Sequence, residues 1–107
     1  KSFEAHFSRY GEGAFYKKHI DQHLDQKHRQ VTFVLYLNDC DGGELAIYNP
    51  KKRNQLDHLV TPASGKLALF LSGEIFHEVR PSRSARYGLT GWYRDDLDLE
   101  GKTNLLI

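Results

Sequence analysis

The stretch QVTFVLYLNDCDGGELAIY, residues 30–48, decides the fold class of this chain. Its first nine residues are rich in β-branched and aromatic side chains, which is typical of a strand, and they are too apolar for a strand at the edge of a sheet. The segment DCDGG, residues 39–43, is dense in turn-forming residues. ELAIY then resumes an extended pattern. The stretch therefore predicts two strands joined by a turn.

The same pattern continues in both directions. SFEAHFSRY, residues 2–10, alternates apolar Phe3, Ala5 and Phe7 with polar residues, and this predicts a half-buried strand. On the other side, HLVTP, KLALFL, IFHEV and RYGLTGWYR are separated by turn signals, and the nearly continuous apolar run KLALFL is expected to be buried on both faces. About eight short strands without a helix-length pattern predict a mainly all-β domain: a sandwich, a jelly roll or a barrel.

Composition narrows the class of protein further. We expect the 107 residues, 1–107, to form one domain, and 39% hydrophobic content fits a globular protein. A net charge of +1 gives no argument for nucleic acid or membrane partners, and no apolar run reaches the roughly 18 residues of a membrane span. Because Cys40 is the single cysteine, an internal disulfide is excluded and a reducing compartment, the cytoplasm, is expected.

The segment FYKKHIDQHLDQKHRQ, residues 15–30, raises the possibility of a metal site. In a strand, His19 and Asp21 project to the same side. With His77 from another strand they would form the two-histidine, one-carboxylate triad that binds non-haem iron. Surface placement of His19 and Asp21 is the competing interpretation. His23 continues the alternation but enters a polar loop, so we expect it to be solvated rather than a fourth ligand.

Three other histidines lack a comparable partner in the sequence, and we expect them to be surface or cap residues: His6, His28 and His58. The basic loop Lys51–Lys52–Arg53 is interpreted as solvated, with docking of an acidic protein substrate as the alternative.

Five segments together resemble the 2-oxoglutarate and Fe(II) dependent dioxygenases, and in particular the compact, bacterial-type form of the prolyl hydroxylase branch. They are RYGEGAFYKKHIDQ, RQVTFVLYLND, DGGELAIY, PASGKLALFLSGEIFHEV and HEVRPSRSARYGLTGWYR. The resemblance covers residues 3–94, with the motifs in the family's order. It implies a double-stranded β-helix, or jelly roll, without the N-terminal helical support within this sequence.

Position by position, the resemblance implies a role for eight residues. The iron ligands would be His19, Asp21 and His77. The residues around 2-oxoglutarate would be Arg86, Tyr36, Tyr10, Thr90 and Trp92. Arg86 would bind the distal carboxylate, because guanidinium presents a fork that suits a carboxylate. Thr90 and Trp92 share the strand parity of Arg86. The charges of Fe(II), Asp21, 2-oxoglutarate and Arg86 then sum to zero, which a poorly solvated cavity favours.

The function implied is hydroxylation of a substrate C–H bond, with release of succinate and carbon dioxide. The implied cofactors are Fe(II), 2-oxoglutarate and dioxygen, with ascorbate as a reductant. A prolyl residue in a protein or peptide is the expected substrate, and a free amino acid is the alternative. Two other classes stay open: a non-oxidative, cupin-like metal-binding or ligand-binding module, and a zinc hydrolase. The sequence does not predict the oligomeric state.

Overall fold

The computed structural model describes residues 2–22 and 28–95. Within these ranges the regular structure consists of strands, and no helix is present. The strands are β1 (Ser2–Tyr10), β2 (Tyr16–His19), β3 (Arg29–Tyr36), β4 (Leu45–Tyr48), β5 (Leu56–Val60), β6 (Leu67–Leu71), β7 (His77–Val79) and β8 (Arg86–Arg94). No helix in the described part of the chain is long and apolar enough to cross a membrane.

The strands form two four-stranded sheets with the topology of a jelly roll. One sheet has the order β1-β8-β3-β6 and the other the order β2-β7-β4-β5, and all the strand pairs are antiparallel. Sequence neighbours lie in different sheets along most of the chain, so the strands alternate between the two layers. The all-β, jelly-roll prediction is confirmed, and β3 is an internal strand as its apolar sequence predicted.

The core lies between the two sheets. Its buried apolar side chains are Val34, Tyr36, Leu45, Ala68, Phe70 and Val79. They come from inward-facing positions of β3, β4, β6 and β7. Beside this core lies a space lined mainly by polar side chains, many of them from β1, β2 and β8.

Two expectations about burial are wrong. β6 was expected to be buried on both faces, but Leu67, Leu69 and Leu71 are 54%, 59% and 49% exposed. In β1 the strand period is correct, yet the apolar face points away from the core, with Phe7 83% exposed. Hydrophobic alternation fixes the period of a strand but not which face meets the core. Here the inward face of β1 is polar because it borders a cavity.

Candidate functional site

The first feature of the site is the convergence of three predicted ligands. His19 ends β2 and pairs directly with His77 at the start of β7, so their rings lie side by side with centroids 4.2 Å apart. Asp21 follows β2 by two residues and is 5% exposed. One ligand atom from each residue lies within 4.8 Å of the other two. The antiparallel pairing of β2 with β7 thus brings His19 and His77 together, although they are far apart in the sequence.

Backbone contacts fix which nitrogen each histidine presents. Nδ1 of His19 lies 2.7 Å from the carbonyl oxygen of Lys17, and Nδ1 of His77 lies 3.1 Å from that of Ile75. A carbonyl only accepts, so Nδ1 must carry the proton in both rings. Each Nε2 then points at Oδ1 of Asp21, at 3.2 and 3.4 Å. Three electron-pair donors converging on one point suit a divalent cation.

The second oxygen of Asp21 is held by the protein. Oδ2 accepts hydrogen bonds from the Thr32 hydroxyl at 2.7 Å and from the Trp92 indole at 3.0 Å, and Thr32 in turn contacts the Ser72 hydroxyl at 2.8 Å. Burial alone raises the pKa of Asp21, but its contacts with His19 and His77 and the hydrogen bond from Trp92 outweigh it and hold the pKa well below its usual range. The carboxylate is therefore ionised, with Oδ1 directed at the histidines.

A cavity of about 350 Å³ opens beside the three ligands, between the sheets. Seven of the eight predicted site residues line it: His19, Asp21, His77, Tyr10, Arg86, Thr90 and Trp92. Tyr36 is fully buried and lies behind the wall, with its ring 4.9 Å from the Arg86 guanidinium carbon. The structure thus places all eight residues in one region, with Tyr36 outside the cavity lining.

Arg86 is a buried cation at the cavity wall. It is 2% exposed, and the rings of Tyr10 and Tyr36 flank its guanidinium carbon at 4.8 and 4.9 Å. Among the described residues no carboxylate pairs with it, and its Nε lacks a hydrogen-bond partner, as does the Tyr36 hydroxyl. A buried, unpaired charge is costly, so this arrangement suits an anionic ligand.

Burial also acts on the two tyrosines beside Arg86. It raises the pKa of Tyr10 and of Tyr36, while the positive charge of Arg86 works in the opposite direction. Both phenols are therefore neutral hydroxyl groups at physiological pH and can donate a hydrogen bond to an anion.

Several cavity residues were missed from the sequence. His6 was expected at the surface; its side chain is 60% exposed, but it lines the cavity and lies edge-on to Trp92. Arg29 also lines the cavity, with its guanidinium carbon 3.7 Å from the Trp92 ring centre. The signal that could have found some of them is strand parity: Thr32 and Val34 alternate with Tyr36. Ser72, which contacts Thr32 but does not itself line the cavity, lies just after β6, where parity gives no guidance.

Two other predictions concern loops. His23 lies outside the described residues, so its predicted solvation stays a prediction. The basic loop is exposed as expected: Lys51, Lys52 and Arg53 are all on the surface. The backbone carbonyl of Arg53 accepts a hydrogen bond from Lys18. The guanidinium carbon of Arg53 lies 4.6 Å from the Phe76 ring centre. The loop is thereby attached to β2 and to the segment before β7.

Comparison with known proteins decides the family. The family model described as 2OG-Fe(II) oxygenase superfamily matches residues 5–94, which include the whole cavity lining. The chain belongs to this superfamily. Members of the superfamily use Fe(II), 2-oxoglutarate and dioxygen. The donor set of two imidazoles and a carboxylate, and the unpaired buried Arg86, fit the metal and the dicarboxylate that this oxygenase family employs.

Individual relatives are prolyl hydroxylases. A crystal structure of a Pseudomonas putida prolyl-4-hydroxylase is 43% identical, with a TM-score of 0.80, over 90% of this chain and 54% of that one. A Trichoplax adhaerens prolyl hydroxylase, solved in complex with a peptide fragment of the hypoxia inducible factor oxygen degradation domain, is 32% identical, with a TM-score of 0.77, over 89% of this chain and 45% of that one.

A third relative is the hypoxia-inducible factor prolyl hydroxylase of Caenorhabditis elegans, 32% identical in a 91-residue alignment that covers 79% of this chain and 12% of that protein. This oxygenase chain thus spans about half of the P. putida enzyme and a smaller share of the two animal enzymes.

Proposed function

We propose that this oxygenase chain hydroxylates a prolyl residue in a protein or peptide, using Fe(II) and 2-oxoglutarate. The observation that carries the proposal is the pairing of two features in one cavity. Three ligand atoms of His19, Asp21 and His77 converge on one point, and a buried arginine without a carboxylate partner among the described residues lies on the same cavity wall. A metal alone would explain the first feature but not Arg86.

In this proposal the chain's residues divide the work of binding. His19 Nε2, His77 Nε2 and Asp21 Oδ1 hold the iron on one side, which leaves the cavity side free for other ligands. Arg86 binds the distal carboxylate of 2-oxoglutarate, with the hydroxyl group of Tyr10 as a further donor and with the buried Tyr36 ring packed beside the guanidinium. When bound, the iron and 2-oxoglutarate supply the oxidising chemistry, which converts the 2-oxo acid to succinate and carbon dioxide while the substrate gains a hydroxyl group.

The substrate class rests on the relatives and on the cavity wall. The relatives named above are prolyl hydroxylases, and one was solved with a peptide bound. The wall combines the aromatic side chains of Tyr10, Tyr16 and Trp92 with the aliphatic Val34. These four side chains form an apolar, mainly aromatic patch in a lining that is otherwise largely polar, and such a patch suits a pyrrolidine ring. Recognition of neighbouring residues of a peptide would then fall to the rim, where His6 and Arg29 lie.

Two proposals concern the conditions under which the enzyme works. We propose ascorbate as a reductant that keeps the iron in the ferrous state, to be tested by comparing the number of turnovers before inactivation with and without it. We also propose a cytoplasmic location, on the ground that the single cysteine, Cys40, is buried and has no partner for a disulfide.

The test is incubation of the iron-loaded protein with 2-oxoglutarate and a library of proline-containing peptides, followed by mass spectrometry for the gain of one oxygen atom and by succinate assay. The expected result is hydroxylation of proline in a subset of peptides, with succinate formed in equal amount. Hydroxylation of free proline or another free amino acid alone would favour the alternative substrate class. Iron and 2-oxoglutarate binding without succinate formation would contradict the oxygenase activity.

A further inference from the structure

The buried polar groups around Arg86 include one that the proposed function does not use. Among the described residues, three buried side-chain polar atoms lack a hydrogen-bond partner: the Tyr36 hydroxyl, Arg86 Nε and the Ser82 hydroxyl. Tyr36 and the terminal nitrogens of Arg86 belong to the proposed 2-oxoglutarate site, whereas the Ser82 hydroxyl has no part in it. Ser82, like Arg86, is only 2% exposed. A hydroxyl buried without a partner costs free energy, so a role for Ser82 is expected.

The contacts of Gly43 place the Ser82 hydroxyl next to the arginine. Gly43 has φ +65°, and a β-carbon built there would lie 2.7 Å from Ser82 Oγ and 3.0 Å from Arg86 Cδ. The serine oxygen and the end of the arginine stem therefore both border the space that the glycine leaves free. Since Nε is bonded to Cδ, the orphaned N–H lies one bond from an atom that borders the same space as the orphaned hydroxyl.

The position of Ser82 is fixed by its backbone. Its N–H donates to the carbonyl of Ala14 at 3.1 Å, and its carbonyl accepts from Gly13 N–H at 2.6 Å. It also forms an isolated antiparallel bridge with Gly42. Because two neighbouring chain segments hold the backbone, rotation of the side chain is the main freedom left to this residue. The hydroxyl can turn toward Arg86 without any change of fold.

We propose that Ser82 is a positioning residue, whose hydroxyl accepts the Nε–H of Arg86 and so aims both terminal nitrogens of the guanidinium into the cavity. This rests on the proposed function, in which those nitrogens bind the distal carboxylate of 2-oxoglutarate. The rings of Tyr10 and Tyr36 limit movement of the guanidinium on either side. A hydrogen bond to Ser82 would also fix the rotation of the Arg86 guanidinium, which contacts with the two rings do not fix.

The experiment compares Ser82→Ala with wild type by anaerobic titration of the iron-loaded protein with 2-oxoglutarate. The expected result is a Kd for 2-oxoglutarate raised about tenfold, since one hydrogen bond to a charged group is lost. Pyruvate, which lacks the distal carboxylate, should bind both proteins alike, and iron affinity should not change. Ser82→Cys, with a weaker acceptor of similar size, should fall between the two.

A double-mutant comparison separates positioning from a structural effect. Lysine has no Nε–H at the same place, so Ser82→Ala should cause no further loss in an Arg86→Lys background. An equal loss in both backgrounds, or weaker pyruvate binding, would overturn the assignment. So would an unchanged Kd for 2-oxoglutarate in Ser82→Ala.

The hydrogen bond itself can be read by NMR on the zinc-loaded protein, without 2-oxoglutarate. The Nε–H resonance of Arg86 should exchange slowly with water in wild type and should shift upfield in Ser82→Ala. An identical resonance in the two proteins would overturn the Ser82 contact even if the oxygenase activity is established. Failure of wild type to bind 2-oxoglutarate would instead remove the proposed function, and the positioning role with it.

Discussion

At the scale of single residues, the hydrogen bonds to Asp21 decide how well the site can hold a metal. Thr32 and Trp92 bind the carboxylate oxygen that faces away from the histidines, and Ser72 supports Thr32. Because Oδ2 already accepts these two hydrogen bonds, only Oδ1 is left for the metal, and the carboxylate is held in one orientation. The hydrogen bonds from His19 and His77 to the backbone carbonyls of Lys17 and Ile75 orient the two imidazoles in a similar way.

The first prediction removes one of these supports. Thr32→Val keeps the side-chain shape but deletes the hydroxyl that donates to Asp21, so iron affinity should fall about 10-fold to 100-fold, the usual cost of losing a group that orients a ligand. Isothermal titration with Fe(II) under anaerobic conditions measures it. The control is Thr61→Val, an exposed position after β5. Equal iron affinity in Thr32→Val and wild type would mean that the hydrogen bond does not orient the ligand.

The second prediction concerns the ligands themselves. Substitution of His19, Asp21 or His77 by alanine should each abolish stoichiometric iron binding while leaving the β-structure intact, because two ligands hold the metal too weakly. Iron content after anaerobic loading and gel filtration, together with circular dichroism, gives the answer. His58→Ala is the matched control, since this histidine is exposed in β5. Iron retained at the wild-type level in the three variants would exclude the site.

At the scale of strands, Glu4 joins three elements of one sheet. It lies in β1, and its Oε1 accepts hydrogen bonds from Arg29 of β3 at 3.0 Å and from Arg94 of β8 at 2.8 Å. His6 lies 3.5 Å from the other oxygen. Burial raises the pKa of Glu4, but the two arginines lower it by more, so the pKa lies below its usual value.

The third prediction follows from this lowered pKa. Glu4→Gln should reduce the free energy of unfolding by about 1 kcal/mol at neutral pH, because the pair is partly screened by solvent. A carboxylate whose pKa is lowered by folding contributes stability above its unfolded pKa of about 4.3 and loses it as the pH falls through the lower, folded value. Urea unfolding of the metal-free protein should therefore show the difference between wild type and variant at pH 7 and a shrinking difference below about pH 4.

The exposed Glu12, which precedes β2, supplies the control for this measurement as Glu12→Gln. A difference between Glu4→Gln and wild type that stays constant from pH 7 into the acid range would contradict the ionic origin of the effect.

The strands also show what sequence reasoning could reach. Period and turn signals were enough to predict strands that became β1, β3, β6 and β8, since side-chain alternation and turn chemistry are local properties. They could not assign the inward face of β1 or the exposure of β6, because those depend on the cavity and on strand order. Parity along β8 predicted that Thr90 and Trp92 line the same cavity as Arg86, and they do. The hydrogen bond from Trp92 to Asp21, by contrast, joins residues far apart in the chain and could not be predicted this way.

At the scale of the whole molecule, the outer face of the β1-β8-β3-β6 sheet is apolar across its full width. Strand pairing aligns Phe3, Tyr93, Val31 and Leu71 in one row, and Phe7, Leu89, Leu35 and Leu67 in another. Phe7, Leu67 and Leu69 are more than half exposed in the described structure. Contiguous apolar surface of this kind favours contact with other apolar surfaces.

The fourth prediction tests this face in the 107-residue chain. Leu69→Lys should raise solubility and reduce binding of an apolar fluorescent dye, because it places a charge within the patch, on its edge strand β6. Iron affinity should not change, since Leu69 points away from the cavity. Leu59→Lys, at a 45% exposed leucine of β5 in the other sheet, is the control. Equal dye binding in Leu69→Lys and wild type would contradict the prediction, because it would mean that the dye does not reach this face.

The central claim is that one cavity binds iron on His19, Asp21 and His77 and the distal carboxylate of 2-oxoglutarate on Arg86. The most direct test is anaerobic titration of the iron-loaded protein with 2-oxoglutarate, following the visible charge-transfer band of the chelate. Arg83→Ala is the matched control, because Arg83 lies three residues before Arg86, in the loop that leads into β8, but is exposed and paired with Asp41.

We predict that Arg86→Ala weakens 2-oxoglutarate binding by about 2 to 4 kcal/mol, roughly 30-fold to 1000-fold, through loss of its charge-assisted hydrogen bonds. Arg86→Lys should keep part of the affinity, and Arg83→Ala should bind like wild type. Unchanged affinity in Arg86→Ala, with iron fully bound, would contradict the account.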